Sequence, residues 1–457
     1  MRSLLRSVTN GRTVLLLGYG REGHSSLRLL NETCPGLKLT VADADASISI
    51  KNPELQAEGI TVQCGEGYLD NIGNFDLILK SPGISLKNTD IKTDPAKISS
   101  QTDLFLRAYS SQITGVTGTK GKSTTSSLIY HIVRSYTSNT LLAGNIGIPL
   151  FDLVPEINPE TRIICELSSH QLEYISKGPH IAVLLNLFQE HLDHYNSFYD
   201  YQMAKFQSGL KQTENDWFIW TSTDENTRLL LNQNILKSRR LPVYLGNFEG
   251  NGIGISGDNI VLRVAGNERI LMPTNPESML KGTHNLINIS VAAAAAALMS
   301  IPAPAIQSGI RTFLPLEHRI EYVGNFGGKN FYNDSISTIP EATIAAVKTL
   351  KQVDTLILGG FDRGIDYNIL TGFLKQYTGI RAVFTGPAGK RMMEELNPYG
   401  NKNAQVFISD FREAVAKAID ITPIGGTCLL SPAASSYDCF KNFEERGRCF
   451  KELVENK

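Results

Sequence analysis

The sequence lacks long apolar runs, paired cysteines and an excess of charge of either sign. The longest apolar stretch, residues 291–299, is far shorter than the roughly 18 residues of a membrane span, and the first apolar run, VLLLG, is too short for a secretory signal. Lys and Arg number 44 against 45 Asp and Glu, so no net field would attract a nucleic acid or an anionic membrane. The 6 cysteines form no C-x-x-C pair, which argues against a zinc site and a disulfide framework. We therefore expect a cytoplasmic, monomeric protein with small-molecule partners and with no nucleic-acid or membrane partner.

The length and the alternation of patterns predict three α/β domains. A chain of 457 residues exceeds one compact core, because domains hold about 100 to 200 residues. Short β-branched and Leu-rich runs alternate with helical patterns, which is typical of parallel sheets covered by helices. We place the domains at residues 1–105, 106–315 and 316–457.

Individual strands and helices can be predicted in each segment. In the first segment we expect strands at residues 14–17, 39–42 and 76–79, with a helix between the first two. The second segment offers strands in ITGVT, RIICEL, HIAVLLNL and DWFIW, and a helix in NISVAAAAAALM. The run NIVLRV after the Gly-rich residues 246–257 suggests a hairpin or an insertion at the edge of that sheet. The third segment offers strands in NFYNDS, TLILGG, AVFTG and CLLSP.

A glycine-rich loop follows the predicted strand ITGVT and precedes a helical pattern, which is the context of a phosphate-binding loop. Glycines let the backbone wrap around phosphate oxygens, and a helix N-terminus offers N–H groups and partial positive charge. In this loop Lys122 would neutralise the terminal phosphates of ATP and the Ser123 hydroxyl would bind Mg²⁺. Val116 stands where a strict Walker sequence has glycine, so the loop is a shortened form. The loop residues are Gly118, Thr119, Lys120, Gly121, Lys122, Ser123 and Thr124.

A second glycine-rich turn, GYGREG at residues 18–23, follows the first predicted strand. With Asp43 about 20 residues further on, it fits the dinucleotide-binding pattern, and alone it would suggest an NAD enzyme. The two turns and the alternating patterns of all three segments lead us to expect the fold class α/β, with a Rossmann-like N-terminal domain, a central P-loop ATPase-like domain with a mostly parallel sheet, and a Rossmann-like C-terminal domain.

Longer segments resemble the Mur ligases, and in particular their glutamate-adding branch. The matching segments occur in the family's order over essentially the whole chain and read TGTKGKST, GNIG, ELSSHQLE, GTHNLIN and SPAASSYDCFKNFEERG. The last segment separates this branch from the enzymes that add alanine or diaminopimelate. The resemblance implies an ATP-dependent ligase that adds glutamate, with D-glutamate favoured, to UDP-N-acetylmuramoyl-L-alanine through an acyl-phosphate in peptidoglycan synthesis. The three domains would then bind the UDP-substrate, ATP and the amino acid, in that order.

The resemblance also assigns a catalytic metal centre. Alone, Glu166 would be a solvated charge at the end of a strand, His191 a satisfied surface or core histidine, and Lys205 a lysine on a helix face. In the family, Glu166 and His191 would ligate Mg²⁺ beside Lys122 and Ser123, and Lys205 would be carbamylated by CO2. A lysine ammonium would repel Mg²⁺, so two Mg²⁺ ions require this modification.

The remaining assignments concern the substrates. Ser81 and Asn145 would contact the nucleotide-sugar, whose UDP portion the GYGREG turn would receive. Asn285 and Asn288 would read adenine, and Arg319 and Asp334 would lie near the ATP ribose and γ-phosphate. The glutamate would be held by Thr338, Arg363, Ser436 and Phe443.

Several positions depart from the family pattern and leave the choice of substrate open. Ile336 and Ile339 stand where the family has lysine and asparagine, and Arg363 stands where it has a lysine that clamps glutamate. Arginine is a planar fork that can bind a carboxylate through two N–H groups, so L-glutamate is an alternative substrate. The motifs are also compatible with a folylpolyglutamate-type ligase, with a different Mur ligase, and with a nucleotide-sugar sensor that has no catalytic activity.

Overall fold

The computed structural model describes residues 1–56, 59–87, 93–145, 148–191, 194–280, 282–314, 317–350, 352–377, 379–396 and 405–456. The chain forms two compact units, Met1–Phe313 and Leu314–Lys457. In these ranges no helix combines the length and apolar character needed to cross a bilayer.

The first unit begins with a five-stranded parallel sheet, ordered β3-β2-β1-β4-β5. Its strands are β1 (Val14–Leu17), β2 (Leu39–Asp43), β3 (Ile60–Cys64), β4 (Leu77–Lys80) and β5 (Ile98–Ser99). The neighbouring helices are α1 (Arg2–Thr9), α2 (Arg21–Thr33), α3 (Ile48–Lys51) and α4 (Gln101–Tyr109). The predicted strands β1, β2 and β4 are confirmed. The sequence patterns do not predict β3, which is only half-buried, or β5, which has 2 residues.

The second sheet of this unit has nine strands, ordered β14-β13-β12-β11-β10-β9-β6-β8-β7. Its strands are β6 (Ile113–Thr117), β7 (Thr140–Gly144), β8 (Arg162–Glu166), β9 (Ile181–Leu184), β10 (Trp217–Thr221), β11 (Arg239–Asn247), β12 (Gly252–Ser256), β13 (Asn259–Val264) and β14 (Asn267–Pro273). The associated helices are α5 (Lys122–Tyr136), α6 (Ser169–Leu172), α7 (Phe198–Leu210), α8 (Glu225–Gln233), α9 (Thr283–Leu298) and α10 (Ala303–Thr312). The expected edge hairpin is confirmed, since β13 pairs antiparallel with both β12 and β14 while the other pairs are parallel.

The alanine-rich helix α9 forms part of the core of the nine-stranded sheet. Its alanines from position 292 to 297 are all buried, together with Ile129 and Ile132 of α5. Small side chains let α9 approach α5 and the sheet closely, which explains why the run is alanine rather than leucine. This packing fixes the position of α5, whose N-terminus carries the glycine-rich loop.

The second unit holds a six-stranded sheet, ordered β15-β16-β20-β17-β18-β19, in which only β15 and β16 pair antiparallel. The strands are β15 (Glu321–Phe326), β16 (Lys329–Asn333), β17 (Thr355–Gly359), β18 (Arg381–Thr385), β19 (Gln405–Phe407) and β20 (Thr427–Leu430). The helices are α11 (Pro340–Leu350), α12 (Asn368–Gln376), α13 (Gly386–Leu396), α14 (Phe411–Ile421) and α15 (Phe443–Glu455). The four strands predicted here are confirmed as β16, β17, β18 and β20.

The α/β fold class is confirmed, and each predicted domain segment contains one sheet. The division into three domains at the predicted boundaries stays a prediction. In the nine-stranded sheet, β9, β6, β8 and β7 are consecutive and parallel, so their carboxyl ends meet at one edge. Ligands bind at this edge in open α/β sheets.

Candidate active site

The glycine-rich loop between β6 and α5 takes a backbone conformation that only glycine adopts easily. Gly118 has φ 149° and Gly121 has φ 86°. A Cβ atom on Gly118 would come within 2.9 Å of the Leu185 Cβ, and one on Gly121 within 2.9 Å of the Asn288 Oδ1. The Thr119 N–H donates to the Asn186 O at 2.8 Å, which ties the loop to the segment after β9. The loop therefore has the tight curvature that a phosphate cradle requires.

Two lysine ammonium groups converge on one carbonyl of this loop. Lys122 Nζ donates to the Gly118 O at 2.9 Å and to the Thr119 O at 3.0 Å. Lys205 Nζ, from α7, donates to the same Gly118 O at 3.0 Å. Burial and the nearby Lys122 charge hold the pKa of Lys205 well below its usual range, against the opposing effect of Glu190 and Glu166. A neutral amine is therefore much more accessible to Lys205 than to an exposed lysine.

An aromatic side chain positions Lys205 against the loop. Tyr201 lies one helical turn earlier on α7, which begins after the capping residue Ser197. The Tyr201 ring centroid lies 4.9 Å from Lys205 Nζ, and its hydroxyl is 2.9 Å from the Thr119 Oγ1. The tyrosine thus fixes the lysine and the loop relative to each other.

Glu166 ends β8 beside the loop and has one carboxylate oxygen without a partner. Asn145, which follows β7, donates from Nδ2 to Glu166 Oε1 at 2.7 Å. Glu166 is 2% exposed, and its Oε2 is buried with no hydrogen-bond partner among the residues that the structure describes. Leaving a carboxylate oxygen unpaired costs about 1 to 3 kcal/mol or more. A cation or a donor from a ligand would remove this cost.

These side chains fit a Mg²⁺ ion that arrives with a nucleotide. In the described part of the chain no cluster of three or more His, Cys, Asp or Glu residues could hold a metal alone. Mg²⁺ is usually bound through one or two carboxylates together with substrate phosphates. The unpaired oxygen of Glu166 and the hydroxyl-bearing Ser123, second residue of α5, are donors of the required kind.

His191 lies after β9 at the same edge, in a left-handed backbone conformation with φ 58°. Its ring centroid is 5.9 Å from that of Tyr201 and 4.8 Å from that of His170. The preceding residue, Glu190, forms an ion pair with Lys120 of the loop. The structure therefore brings His191 next to the residue that positions Lys205.

His170 packs in the same aromatic cluster. Its ring lies edge-on to His194, with centroids 4.2 Å apart. Burial and the charges of His194, His191 and Lys80 lower the pKa of His170 to about 3, so this ring is neutral and acts as an aromatic packing group. His194 is buried and lies 3.2 Å from Glu173, with which it forms a hydrogen bond.

The two asparagines assigned to adenine lie together at the start of α9. Asn288 Nδ2 donates to the Asn285 Oδ1 at 3.1 Å, and Asn288 approaches Gly121 as described above. They are therefore adjacent to the glycine-rich loop.

The GYGREG turn lies at the carboxyl edge of the five-stranded sheet. Ser81 donates from Oγ to the Gly18 O at 2.8 Å, and the Tyr19 N–H donates to Asp43 Oδ2 at 2.7 Å. Close to this turn is a cavity of about 100 Å³ whose lining combines both sheets' edges. It is lined by Arg21, Glu22, Pro82, Gly144, Asn145, Pro149 and Gln171. Asn145 thus lines this cavity and Ser81 lies beside it, although the two residues were predicted from separate motifs.

In the second unit, Asp334 and Arg319 lie near each other. Asp334 follows β16, is 2% exposed, and accepts from the Ser431 Oγ at 2.7 Å and the Ile320 N at 3.2 Å. Burial raises the pKa of Asp334 to about 6, although these hydrogen bonds and the Arg319 charge oppose the rise. The Nε of Arg319 is buried without a partner among the described residues.

Of the residues assigned to glutamate, three lie on loops of this second unit and the fourth, Phe443, is the first residue of α15. Arg363 donates to the Thr338 O at 2.7 Å, Ser436 is buried, and Phe443 begins α15 and accepts at its carbonyl from the Ser335 Oγ at 2.8 Å. The loop carrying Arg363 is held by Arg391 of α13. Arg391 binds both carboxylate oxygens of Asp362, at 2.7 and 2.8 Å.

Several side chains at these sites were not predicted. Glu190, Tyr201, Glu22 and Arg391 all contact or hold a predicted residue or its loop. Two of them could have been suspected, because Glu190 adjoins His191 in QEH and Glu22 lies inside the GYGREG motif. The others depend on contacts between segments distant in the sequence.

Comparisons with known proteins identify relatives of this chain. A Mur ligase middle domain model matches residues 116–296. UDP-N-acetylmuramoylalanine–D-glutamate ligases of Symbiobacterium thermophilum and Geobacillus kaustophilus are each 33% identical, covering 96% and 97% of this chain and 97% of each relative. Among solved structures, a MurF ligase from Thermotoga maritima in complex with ADP has a TM-score of 0.57 at 13% identity and covers 100% of both chains. A UDP-N-acetylmuramate-alanine ligase from Thermotoga maritima has a TM-score of 0.55 at 17% identity, covering 97% of this chain and 99% of that one. The two solved structures support the fold alone.

Proposed function

The chain belongs to the Mur ligase family, in its UDP-N-acetylmuramoylalanine–D-glutamate ligase branch, and from this premise we propose that it joins D-glutamate to UDP-N-acetylmuramoyl-L-alanine. ATP is cleaved to ADP and phosphate, and the product is an intermediate of peptidoglycan synthesis. The protein is thus an ATP-dependent, ADP-forming ligase that makes an amide bond.

The convergence of Lys122, Lys205 and Glu166 around the Gly118 loop carries this proposal. A carboxylate is a poor acyl donor until its oxygen becomes a good leaving group. Transfer of the ATP γ-phosphoryl group forms an O–P bond to the substrate carboxylate as the bond to ADP breaks. The glutamate amine then attacks the acyl carbon, losing a proton as phosphate leaves. Both anions must be held together for this chemistry, which a cation-rich loop favours.

Each charged group of the loop has a defined task in this reaction. Lys122 neutralises the terminal phosphates, and the N-terminus of α5 contributes N–H groups and partial positive charge. Glu166, Ser123 and His191 would hold two Mg²⁺ ions together with the modified Lys205. When bound, Mg²⁺ offsets the charge of the phosphates and makes the phosphorus more electrophilic.

The surroundings of Lys205 support the carbamylation that we propose. The lowered pKa favours the neutral amine, whose lone pair can attack CO2. The ammonium first loses one proton to give this amine, and formation of the N–C bond to CO2 then releases a second proton and gives a carbamate, so a cation becomes an anion. The change removes the repulsion between Lys205 and Lys122 and supplies oxygen ligands for Mg²⁺.

We place the incoming nucleotide base at Asn285 and Asn288.

The remaining roles are assigned by domain. Residues 1–105 bind the UDP-substrate with Ser81, and Asn145 of the central domain, residues 106–315, contacts the same ligand. Residues 316–457 bind glutamate with Thr338, Arg363, Ser436 and Phe443. Arg319 and Asp334 of that domain contact ATP. We propose a cytoplasmic monomer that acts on small molecules without a nucleic-acid or membrane partner.

The direct test measures phosphate release by the full chain with ATP, Mg²⁺ and UDP-N-acetylmuramoyl-L-alanine, adding D-glutamate or L-glutamate in separate reactions. We expect release that requires both the UDP-substrate and D-glutamate. Preference for L-glutamate would correct the substrate and assign the difference to the Arg363 loop. Absence of release from well-folded protein that binds the nucleotide-sugar would instead support a sensor.

A further inference from the structure

Glu22, in the GYGREG turn, has a buried carboxylate oxygen that the protein leaves unpaired. Glu22 is the second residue of α2 and lines the cavity of about 100 Å³ together with Pro82 and Asn145. Its Oε2 has no hydrogen-bond partner in the described ranges. A buried acceptor without a donor is destabilising, so such an atom beside a cavity indicates a ligand that supplies the donor.

The other carboxylate oxygen is held in a fixed position. Gln171 Nε2 donates to Glu22 Oε1 at 2.9 Å. Rotation of the Gln171 amide would break a second hydrogen bond, because its Oε1 accepts from the Ser168 N–H at 3.1 Å in the capping box of α6. Glu22 is therefore oriented by the neighbouring sheet's helix, and only its Oε2 remains for a ligand.

The charges around Glu22 decide which ligand group fits. Arg21 and Lys80 lie near enough to favour the carboxylate, while burial raises the pKa of Glu22. A phosphate at this oxygen would meet a negative carboxylate in a poorly solvated place, which is unfavourable. An N–H or O–H donor has no such penalty.

We propose that Glu22 is a specificity-determining residue that accepts, at Oε2, a hydrogen bond from an N–H or O–H group of the nucleotide-sugar substrate. The inference rests on the proposed function, because it takes the nucleotide-sugar as the ligand of this cavity. It predicts that the turn selects the substrate through a neutral donor in addition to any phosphate contact.

The variant Glu22→Gln tests this contact with little change in shape. Its amide oxygen can still accept from Gln171, while an NH2 donor replaces the unpaired oxygen. Two donors would then face each other. We expect the KM for UDP-N-acetylmuramoyl-L-alanine to rise about 10-fold or more, since losing a buried charged hydrogen bond costs at least that much. The KM values for ATP and glutamate, and the Tm, should stay within error of the parent protein.

Glu32→Gln provides the matched control, because Glu32 lies on the same helix but pairs with Arg2 at the exposed surface. It should leave every kinetic constant unchanged. An unchanged or lower KM for the UDP-substrate in Glu22→Gln would overturn the inference, and a lower KM would place an acceptor of the substrate at this oxygen. A parent protein without phosphate release dependent on the UDP-substrate would instead reject the proposed function, so the two failures are distinguishable.

Discussion

Two buried cations, Lys205 in the first unit and Arg446 in the second, are treated differently by their surroundings. Both are 2% exposed. Arg446 makes five hydrogen bonds, to the Oγ and carbonyl of Ser335 and to the carbonyls of Gly359, Ala434 and Ser435. Lys205 makes one in the described part of the chain, to a carbonyl that Lys122 shares. The protein's own acceptors thus satisfy the guanidinium of Arg446 without a ligand, whereas the ammonium of Lys205 has fewer acceptors than donors among the described residues.

The difference fits a structural role for Arg446 and the role in catalysis that we propose for Lys205. The guanidinium of Arg446 joins the strand-end loops of the second unit, and burial lowers its pKa only to about 10, so the charge persists at neutral pH. At Lys205 burial and a like charge both oppose protonation. A protein retains such an unfavourable arrangement where ligand binding or chemistry relieves it.

The largest effect should come from replacing Arg446, the cation that the protein itself satisfies. We expect Arg446→Met to lower the unfolding free energy of the second unit by about 3 to 5 kcal/mol, because several buried acceptors lose a charged donor. Urea denaturation of the full chain measures this. Arg448→Met, at an exposed position of the same helix, should change it by less than about 0.5 kcal/mol. Equal effects of Arg446→Met and Arg448→Met would contradict the structural role of the Arg446 charge.

The carboxylate of Asp334 gives a pH test of charge burial in the second unit. Its pKa is raised in the folded protein to about 6 from the usual 3.8, so its contribution to stability is full below about pH 4 and is lost as pH rises through about 6. Relative to Asp334→Asn, which cannot ionise, the parent should lose about 3 kcal/mol of unfolding free energy across this range. Parallel pH curves for the two proteins would contradict the assignment.

Replacing Lys205 should lower the turnover without lowering the stability of the protein. We expect Lys205→Met to lower turnover by about 100-fold or more, because the proposed metal ligand is lost. Its unfolding free energy should stay equal or rise by about 1 kcal/mol, since an apolar side chain replaces a poorly paired charge. Lys211→Met, exposed just beyond the same helix, serves as the control and should keep full turnover. A large loss of stability in Lys205→Met would show that the two cations are alike.

The smallest effect concerns the loop that carries Arg363. Arg391→Met removes the two-point contact to Asp362, so we expect the KM for glutamate to rise about 10-fold with a smaller change in kcat. Steady-state kinetics with saturating ATP and UDP-substrate measure the two constants. The neighbouring exposed Lys390 offers a control, Lys390→Met, that should behave like the parent. An unaltered KM in Arg391→Met would remove the positioning role.

The sequence predicted features that depend on adjacent residues. The strand, glycine loop and helix at Gly118–Lys122 follow from local patterns, and so does the alanine-rich helix. Burial of Lys205 could not be predicted, because its helix also carries polar residues and its contacts include Gly118, a residue 87 positions earlier in the chain. The Glu22–Gln171 contact joins residues 149 positions apart, which periodicity cannot reveal.

The second unit gives the same lesson. The tail motif predicted Ser436 and Phe443 but offered no reason to expect a buried arginine at position 446. Its five acceptors come from three separate segments, namely the loop after β16, the end of β17 and the loop after β20, so the environment exists only after the sheet has formed.

The most direct measurement of the central claim is ¹³C NMR of the full chain equilibrated with ¹³C-bicarbonate and Mg²⁺, compared with Lys205→Met and Lys211→Met. If CO2 converts the Lys205 side chain from a cation to a carbamate anion, the parent and Lys211→Met will show one carbamate resonance that Lys205→Met lacks. A parent spectrum without that resonance, or one that persists in Lys205→Met, would contradict the claim.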